Sequence, residues 1–287
     1  AKFSGAHAAI GEDKLTNGED ERQVFGSYFD GEAEELEEIA ASGVANGFHD
    51  IVTYRFKTGA TYKGQWQGNM RHGYGEQRWP DGASYEGRWR ENVANGCGRF
   101  KHPDGDLFVG QWRKNAANGY GTYYHKDSTT YKGQWRADLE EGYGVESWDR
   151  GAHYEGTYRS GRKDGFGCYY WKDGSMYQGR WVDGAMNGSG KYIAKDGRSF
   201  SGQWKESVPH GLGRYKWHDG REYRGRYFSD WKDGFGVFEW PDGRKYEGYW
   251  LNGKQHGPGR TTTKDGSTNL ALWEEGKISP KDVDVEH

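Results

Sequence analysis

The segment Thr61-Tyr62-Lys63-Gly64-Gln65-Trp66 decides the fold, because its pattern of aromatic residue, glycine and aromatic residue at alternate positions returns every 23 residues. Eight further copies follow without insertion or deletion, at Tyr85-Gly87-Trp89, Phe108-Gly110-Trp112, Tyr131-Gly133-Trp135, Tyr154-Gly156-Tyr158, Tyr177-Gly179-Trp181, Phe200-Gly202-Trp204, Tyr223-Gly225-Tyr227 and Tyr246-Gly248-Trp250. A degenerate copy, in which Asn and Ala replace the first aromatic residue and the glycine, follows at Asn269-Ala271-Trp273. Such regularity is the signature of a tandem-repeat protein rather than of a domain built around one core.

Two glycine motifs run on the same period. The first is Gly–x–Gly, at Gly73/Gly75, Gly96/Gly98, Gly119/Gly121, Gly142/Gly144, Gly165/Gly167, Gly188/Gly190, Gly211/Gly213, Gly234/Gly236 and Gly257/Gly259. The second is Asp-Gly, at Asp81-Gly82, Asp104-Gly105, Asp173-Gly174, Asp196-Gly197, Asp219-Gly220, Asp242-Gly243 and Asp265-Gly266. Because Asp-Gly is a strong turn signal, we expect a chain reversal into each new repeat.

The residues within each copy alternate in character, as a two-faced β strand requires. In residues 61–66 the aromatic residues and glycine fall on one face and the polar residues on the other. A second run follows Gly75 and ends at Trp79-Pro80, before the turn. We therefore predict an all-β fold, an elongated single-layer antiparallel meander of hairpins that rises ~9.6 Å per repeat.

The three motifs together resemble MORN repeats (membrane occupation and recognition nexus), whose consensus reads roughly Tyr-x-Gly-x-Trp, then His-Gly-x-Gly, then Asp-Gly. The resemblance covers residues 54–273, with about nine to ten repeats. Outside this range nothing resembles the lipid-kinase domain, methyltransferase domain or junctophilin-type membrane anchor of other MORN proteins. The chain therefore resembles a stand-alone repeat protein.

Composition and charge agree with a repeat array between two acidic ends. Glycine accounts for 48 of 287 residues and aromatic residues for 16% of the chain, a composition unlike that of disordered chains. No apolar run approaches the ~18–20 residues that span a bilayer. Of the net charge of −3, residues 1–50 carry −9, residues 274–287 carry −3 and residues 51–273 carry +9. We accordingly divide the chain into an acidic N-terminal extension (1–50), the MORN-repeat array (51–273) and an acidic C-terminal tail (274–287).

The aromatic residues stack in two columns, which we predict to wall a partner-binding groove with the glycines as its floor. The groove residues are Tyr62, Trp66, Tyr85, Trp89, Phe108, Trp112, Tyr131, Trp135, Tyr154, Tyr158, Tyr177, Trp181, Phe200, Trp204, Tyr223, Tyr227, Tyr246 and Trp250. Their first role is to stack as the hydrophobic content of the fold. Since a single-layer sheet has nothing to cover this face, we also expect it to bind an extended strand or an amphipathic helix of a protein partner.

A basic stripe follows the second aromatic column, one position further along the chain. It consists of Arg90, Arg113, Arg136, Arg159 and, after a break at Val182, Lys205. Exposed basic residues at regular steps are typical of a surface that contacts anionic phospholipid headgroups or an acidic protein. The alternative, which stays open, is an ordinary solvated face diluted by neighbouring carboxylates such as Glu91.

No arrangement of residues indicates catalysis or a cofactor. Cys97 and Cys168 lie about three repeats apart, so we expect free thiols rather than a disulfide. His102 and His125 occupy an aromatic column, where stacking is favoured over metal ligation. The uninterrupted period leaves no long loop to build an active site. We expect a protein that is not an enzyme, holds no cofactor or metal and binds no nucleic acid.

The two ends depart from the repeat. We expect residues 1–31 to be mostly irregular, with an apolar cluster of Val24, Phe25, Tyr28 and Phe29, and residues 32–42 to form a short acidic helix with Leu36, Ile39 and Ala40 on one stripe. The sequence leaves open whether this segment folds back on the array or orders only on a partner. At the other end, an uncovered edge strand would allow homodimerisation.

The resemblance implies a role in assembling larger complexes, because MORN proteins are associated with membrane–cytoskeleton junctions, cilia and organelle contacts. We expect a non-catalytic scaffold that binds protein partners within a larger complex, in the cytoplasm or peripheral to a membrane or the cytoskeleton. Import into an organelle with a removed presequence stays open. The alternatives are a peripheral module that binds anionic phospholipids through the basic stripe, and an accessory subunit of an enzyme.

Overall fold

The computed structural model describes residues 25–42 and 47–280 and divides the chain into two units. Of the described residues, 25–42 and 47–162 form the first unit and 163–280 form the second. Consecutive strands pair antiparallel within each unit, so the predicted all-β meander is confirmed. The three predicted domain boundaries stay predictions.

In its described residues, the first unit has two helices and ten strands. The helices are α1 (Gly26–Asp30) and α2 (Ala33–Ala41). The strands are β1 (Phe48–Arg55), β2 (Thr61–Gln67), β3 (Met70–Arg78), β4 (Ser84–Arg90), β5 (Val93–Lys101), β6 (Leu107–Arg113), β7 (Ala116–Tyr124), β8 (Thr130–Arg136), β9 (Leu139–Ser147) and β10 (His153–Arg159). A short 3₁₀ turn at Asp149–Gly151 lies between β9 and β10.

The second unit continues the same alternation of seven-residue and nine-residue strands. Its strands are β11 (Arg162–Tyr170), β12 (Met176–Val182), β13 (Ala185–Ile193), β14 (Ser199–Lys205), β15 (Val208–Lys216), β16 (Glu222–Phe228), β17 (Trp231–Glu239), β18 (Lys245–Leu251), β19 (Lys254–Thr262), β20 (Thr268–Glu274) and β21 (Lys277–Ile278). Strand β19 accommodates Pro258, which faces Leu272 of β20. The last hairpin packs through Trp273, whose ring lies 5.3 Å from that of Tyr246.

Two kinds of turn connect the strands. A two-residue turn, such as Glu91-Asn92 between β4 and β5, has positive φ at both residues (50° and 68°), as a type I′ hairpin requires. The Asp-Gly motif makes the other turn, where the Asp81 carboxylate accepts a hydrogen bond from the Ala83 N–H at 3.0 Å. The predicted reversal at Asp-Gly is therefore confirmed.

The Gly–x–Gly motif lies inside a strand, and the prediction that the second run begins after Gly75 is wrong. Strand β3 already starts at Met70 and contains a β-bulge, since Gly64 faces Gly75 whereas Trp66 faces Arg71. Gly73 adopts a φ of +75° in this bulge, a conformation that favours glycine.

The described part of the N-terminal segment, residues 25–42, is more regular than predicted. The helix expected over residues 32–42 is present as α2, but residues expected to be irregular also form helix α1. Of the predicted stripe, Leu36 is buried, Ile39 is half-buried and Ala40 is exposed. Residue 24 of the predicted apolar cluster lies outside the described residues.

Candidate functional site

We call the sheet face that carries the two aromatic columns the inner aromatic face. All eighteen predicted groove residues lie on it, and all are buried, with exposed fractions between 0% and 8%. The expectation that these rings face water is therefore wrong. Whether a partner contacts them stays a prediction.

The predicted groove floor of bare glycine backbone is also wrong, because the first aromatic ring of each repeat covers it. The Tyr62 ring lies back over its own strand, and its hydroxyl donates a hydrogen bond to the Gln65 carbonyl at 2.9 Å. A Cβ atom on Gly64 would come within 2.5 Å of the Tyr62 hydroxyl and of the Gly75 Cα. The glycines are thus required to seat the ring rather than to line a groove.

The rings then lock neighbouring repeats together by edge-to-face packing. Tyr62 contacts Trp66 of its own repeat at 5.2 Å and Trp89 of the next at 5.4 Å, with near-perpendicular planes. Every indole of the predicted groove except that of Trp66 donates to a glycine carbonyl of the preceding repeat, as where Trp89 Nε1 donates to the Gly75 carbonyl at 3.1 Å. Such aromatic pairs add stability beyond the area that they bury.

Helix α1 packs on the inner aromatic face of the first unit through two phenylalanines. Phe25 and Phe29 are one helical turn apart and only 1% and 2% exposed. Phe25 lies against Phe100, His102, Phe108 and Trp112, with ring centroids 5.1–5.4 Å away. Phe29 lies against Trp79, Tyr85, Trp89 and Trp112, with ring centroids 5.4–5.9 Å away. The acidic segment therefore folds back on the array, which the sequence had left open.

A buried polar network anchors the residue between the two helices. Glu32, 2% exposed, accepts hydrogen bonds from Gln77 Nε2 at 2.9 Å and from Thr58 Oγ1 at 3.0 Å. Gln77 in turn accepts a hydrogen bond from the buried guanidinium of Arg71. That guanidinium also donates to the Asn92 carbonyl at 2.7 Å and lies 4.2 Å from the centre of the Trp89 ring. Burial lowers the pKa of Arg71 to about 10, and the Glu32 charge partly offsets this effect.

Further polar contacts hold the ends of the helical segment. The Glu35 carboxylate accepts hydrogen bonds from the Tyr54 hydroxyl and the Lys57 N–H, both at 2.7 Å. At the start of α1, the Asp138 carboxylate accepts hydrogen bonds from the N–H groups of Phe25 and Gly26. Burial raises the pKa of Asp138 to about 6, although these N–H groups favour the charged form.

The predicted aromatic role of His102 agrees with its surroundings. Its ring lies 4.6 Å from that of Phe100 and 5.1 Å from that of Phe25. Burial lowers its pKa to about 4, so the imidazole is neutral at pH 7. His125 also lies against an aromatic ring, that of Tyr123 at 4.5 Å, and its Nδ1 lies 3.2 Å from the Asp106 carboxylate.

Lys232 of the second unit is buried on the inner aromatic face, at 8% exposed. Its ammonium lies between 4.6 and 5.1 Å from the centres of four rings, those of Trp217, Tyr223, Phe238 and Trp250. Burial and, to a smaller extent, the Arg221 charge lower its pKa to about 8. Lys232 was not predicted from the sequence, although a lysine opposite Tyr227 of the aromatic column could have indicated a buried cation.

The five residues of the predicted basic stripe are all exposed. Arg90, Arg113 and Arg136 each end a strand immediately before a two-residue turn, and Lys205 does so in the second unit. The Arg90 guanidinium lies 4.0 Å from the Glu91 carboxylate, which dilutes its charge as expected.

The opposite face of the sheet carries apolar residues that the sequence analysis also missed. They stand between the two glycines of the Gly–x–Gly motif, and the exposed ones include Tyr74, Tyr120 and Tyr143 of the first unit and Leu212 and Phe235 of the second. These side chains are 54–67% exposed. Their 23-residue spacing was visible in the sequence, but only the strand register shows which face they occupy.

Few groups in the described residues suggest other chemistry. Cys97 is an exposed free thiol. Across residues 25–42 and 47–280, no group of three or more His, Cys, Asp or Glu side chains is placed to hold a metal ion. In the same ranges, none of the helices has the length and apolar character of a membrane span.

Comparison with known proteins identifies the repeat. The MORN repeat model matches nine times, at residues 62–84, 85–107, 108–130, 131–153, 154–176, 177–197, 200–220, 223–243 and 246–268. Comparison with curated proteins found no significant match to this chain.

Similar solved structures include two domains in complex with peptides. The TCP10 domain of Danio rerio CPAP, in complex with a STIL peptide, is 14% identical with a TM-score of 0.44, covering 79% of this chain and 96% of that chain. The SAS-4 TCP domain of Drosophila melanogaster, in complex with a proline-rich motif of Ana2, is 13% identical with a TM-score of 0.31, covering 68% and 86%. Since the nine matched repeats extend over most of the sequence, the chain belongs to the MORN repeat family.

Proposed function

We propose that this chain is a non-catalytic scaffold that binds protein partners along the inner aromatic face, in the manner in which it binds its own helices α1 and α2. The packing of Phe25 and Phe29 carries the proposal, since both side chains lie in slots between rings of successive repeats. These slots accept aromatic anchors spaced one helical turn apart, as in helix-in-groove recognition.

The repeat extends this chemistry along the chain. The aromatic columns return every 23 residues in both units, so each repeat can contribute part of a slot. The intramolecular helix is held at a high effective concentration, so a partner that uses the slots of the first unit must displace it. We therefore expect partners to bind more strongly when α1 is released.

A peptide-binding experiment tests this proposal. The probe is a labelled peptide with the sequence of residues 25–42, and the protein is the full chain with the substitutions Phe25→Ser and Phe29→Ser, which release α1. We expect saturable binding by fluorescence anisotropy, and weakening by at least about tenfold when the peptide itself carries both serines. Equal binding of the two peptides, or no binding to the released chain, would contradict the proposal.

The exposure of the basic stripe supports a second candidate function, binding of anionic phospholipid surfaces. Co-sedimentation with phosphatidylserine vesicles at low and high salt tests it. Lipid binding requires that sedimentation fall with salt and be lost when Arg90, Arg113 and Arg136 are changed to Gln. A scaffold that binds only proteins would stay in the supernatant at both salt concentrations.

A further inference from the structure

Lys232 and Arg71 occupy the same position of the repeat, 161 residues or seven periods apart. Each faces the second aromatic residue of its hairpin, because Arg71 pairs with Trp66 and Lys232 pairs with Tyr227. The rings around the two cations also correspond: Phe56 to Trp217, Tyr62 to Tyr223 and Trp89 to Trp250.

The two cations differ in how their charge is compensated. Arg71 is connected through Gln77 to the buried carboxylate of Glu32. At the equivalent of Gln77 the second unit has Phe238, and the Lys232 ammonium makes no hydrogen bond or ion pair with any described residue. A buried cation without a carboxylate is costly, and the surrounding rings offset only part of that cost.

The second unit also contains the equivalents of the four rings that contact Phe29 in the first unit. Phe29 contacts Trp79, Tyr85, Trp89 and Trp112, and their equivalents seven periods later are Trp240, Tyr246, Trp250 and Trp273. Trp217 and Trp240 are half-buried rather than buried. They therefore leave part of the inner aromatic face near Lys232 accessible.

Two arginines border this region, and each forms an ion pair with an aspartate of its own turn. Arg221 lies over the Trp217 ring at 5.4 Å, and Arg244 over the Trp240 ring at 5.3 Å. The guanidinium of Arg221 donates to Asp219 at 2.7 Å, and that of Arg244 donates to Asp242. Asp219 and Asp242 are thus paired with Arg221 and Arg244 rather than with Lys232.

Building on the proposed function, we propose that the inner aromatic face around Lys232 is a second docking site, which takes an acidic helical segment of a protein partner. In that segment a glutamate follows an aromatic residue by three positions, the spacing of Phe29 and Glu32. The glutamate carboxylate binds the Lys232 ammonium, and the aromatic ring fills the slot of Trp240, Tyr246, Trp250 and Trp273. Charge complementarity and the intramolecular example at Arg71 both define this partner chemistry.

The test uses the full wild-type chain, in which α1 and α2 already occupy the first unit. The probe is the labelled peptide of residues 25–42, since its pattern is known to fit the equivalent site. We expect one equivalent to bind, with affinity lowered at least about tenfold by Lys232→Met or by Glu32→Gln in the peptide. Combining the two changes should weaken binding no further, because both remove the same ion pair.

Two further variants serve as controls for the charge of Lys232. Lys254→Met removes an exposed lysine of the same unit and should leave affinity unchanged, while Lys232→Arg keeps the charge and should retain most of the binding. Circular dichroism and a thermal melt establish that each variant is folded.

The outcomes separate this inference from the proposed function. Wild-type binding that ignores Lys232→Met, or absence of wild-type binding while the Phe25→Ser/Phe29→Ser chain binds, overturns the Lys232 site and leaves the proposed function standing. If neither chain binds the peptide, both proposals fail. Binding lost on Lys254→Met as well would show non-specific charge attraction and also overturn the site.

Discussion

Arg71 and Lys232 occupy the same position of the repeat, but different groups surround them. Around Arg71, two helices bring Phe25, Phe29 and Glu32, and the cation becomes part of a hydrogen-bonded network. Around Lys232, four rings enclose the ammonium, and no described carboxylate approaches it.

The difference teaches that a MORN hairpin tolerates a buried cation on its inner aromatic face in two ways. Polar compensation makes the cation necessary, since its removal would leave other buried groups unpaired. Aromatic enclosure alone leaves the charge without a carboxylate, so we expect the unit to remain stable when the cation is removed.

Replacement of Arg71 should have the largest effect. Arg71→Met leaves the Glu32 carboxylate buried without its cation, so we expect a loss of about 3–5 kcal/mol in the free energy of unfolding of the first unit. Urea denaturation followed by tryptophan fluorescence measures it. Glu34→Gln, at an exposed position of α2, serves as the control, and a loss below about 1 kcal/mol would remove the distinction between the two sites.

Replacement of Phe29 should come next, because its ring is buried among four indole and phenol rings. Phe29→Ala should destabilise the packing of α1 and α2 by about 3 kcal/mol, through lost transfer free energy and the cavity left behind. Hydrogen exchange of the α2 amides reports the release of the segment. Unchanged protection of α2 would show that the polar contacts of Glu32 and Glu35 hold the segment by themselves.

A smaller loss is expected from removing only the charge of Glu32. Glu32→Gln keeps a hydrogen-bonding side chain but no longer compensates Arg71, so we expect a loss of about 1–3 kcal/mol. The double variant with Arg71→Met should be less destabilised than the sum of the two single variants, as a double-mutant cycle would show. Strict additivity would mean that the two groups do not interact through Gln77.

The smallest effect, of opposite sign, is expected at Lys232. The folded pKa of about 8 lies below the ordinary 10.5, so this charge lowers stability below about pH 8, and the penalty fades as the pH rises toward 10.5. Lys232→Met removes the penalty of the buried charge but also the favourable contacts of the ammonium with the rings. The net result should be a rise of about 1 kcal/mol in the free energy of unfolding at pH 7. The gain should vanish above about pH 10, when the lysine is neutral in both states. A loss of stability at pH 7 would show that the rings fully compensate the charge.

The 23-residue period of the sequence determined most of the fold. Hairpins, Asp-Gly turns and the aromatic columns follow from alternation along residues 61–66 and its copies, because strand side chains repeat every two residues. The pattern did not show the bulge at Gly73, which depends on how β2 pairs with β3. It also predicted an open groove where the Tyr62 ring closes over Gly64.

The candidate site was decided by tertiary structure. The sequence predicted Phe25 and Phe29 only as part of an apolar cluster, and it did not single out Arg71 or Lys232. Only the tertiary structure shows that Arg71 is connected through Gln77 to Glu32 of the helical segment, and that Lys232 is buried among four rings. Periodicity shows which residues occupy equivalent positions in successive repeats, whereas charge compensation depends on contacts between segments far apart in the chain, which no local pattern encodes.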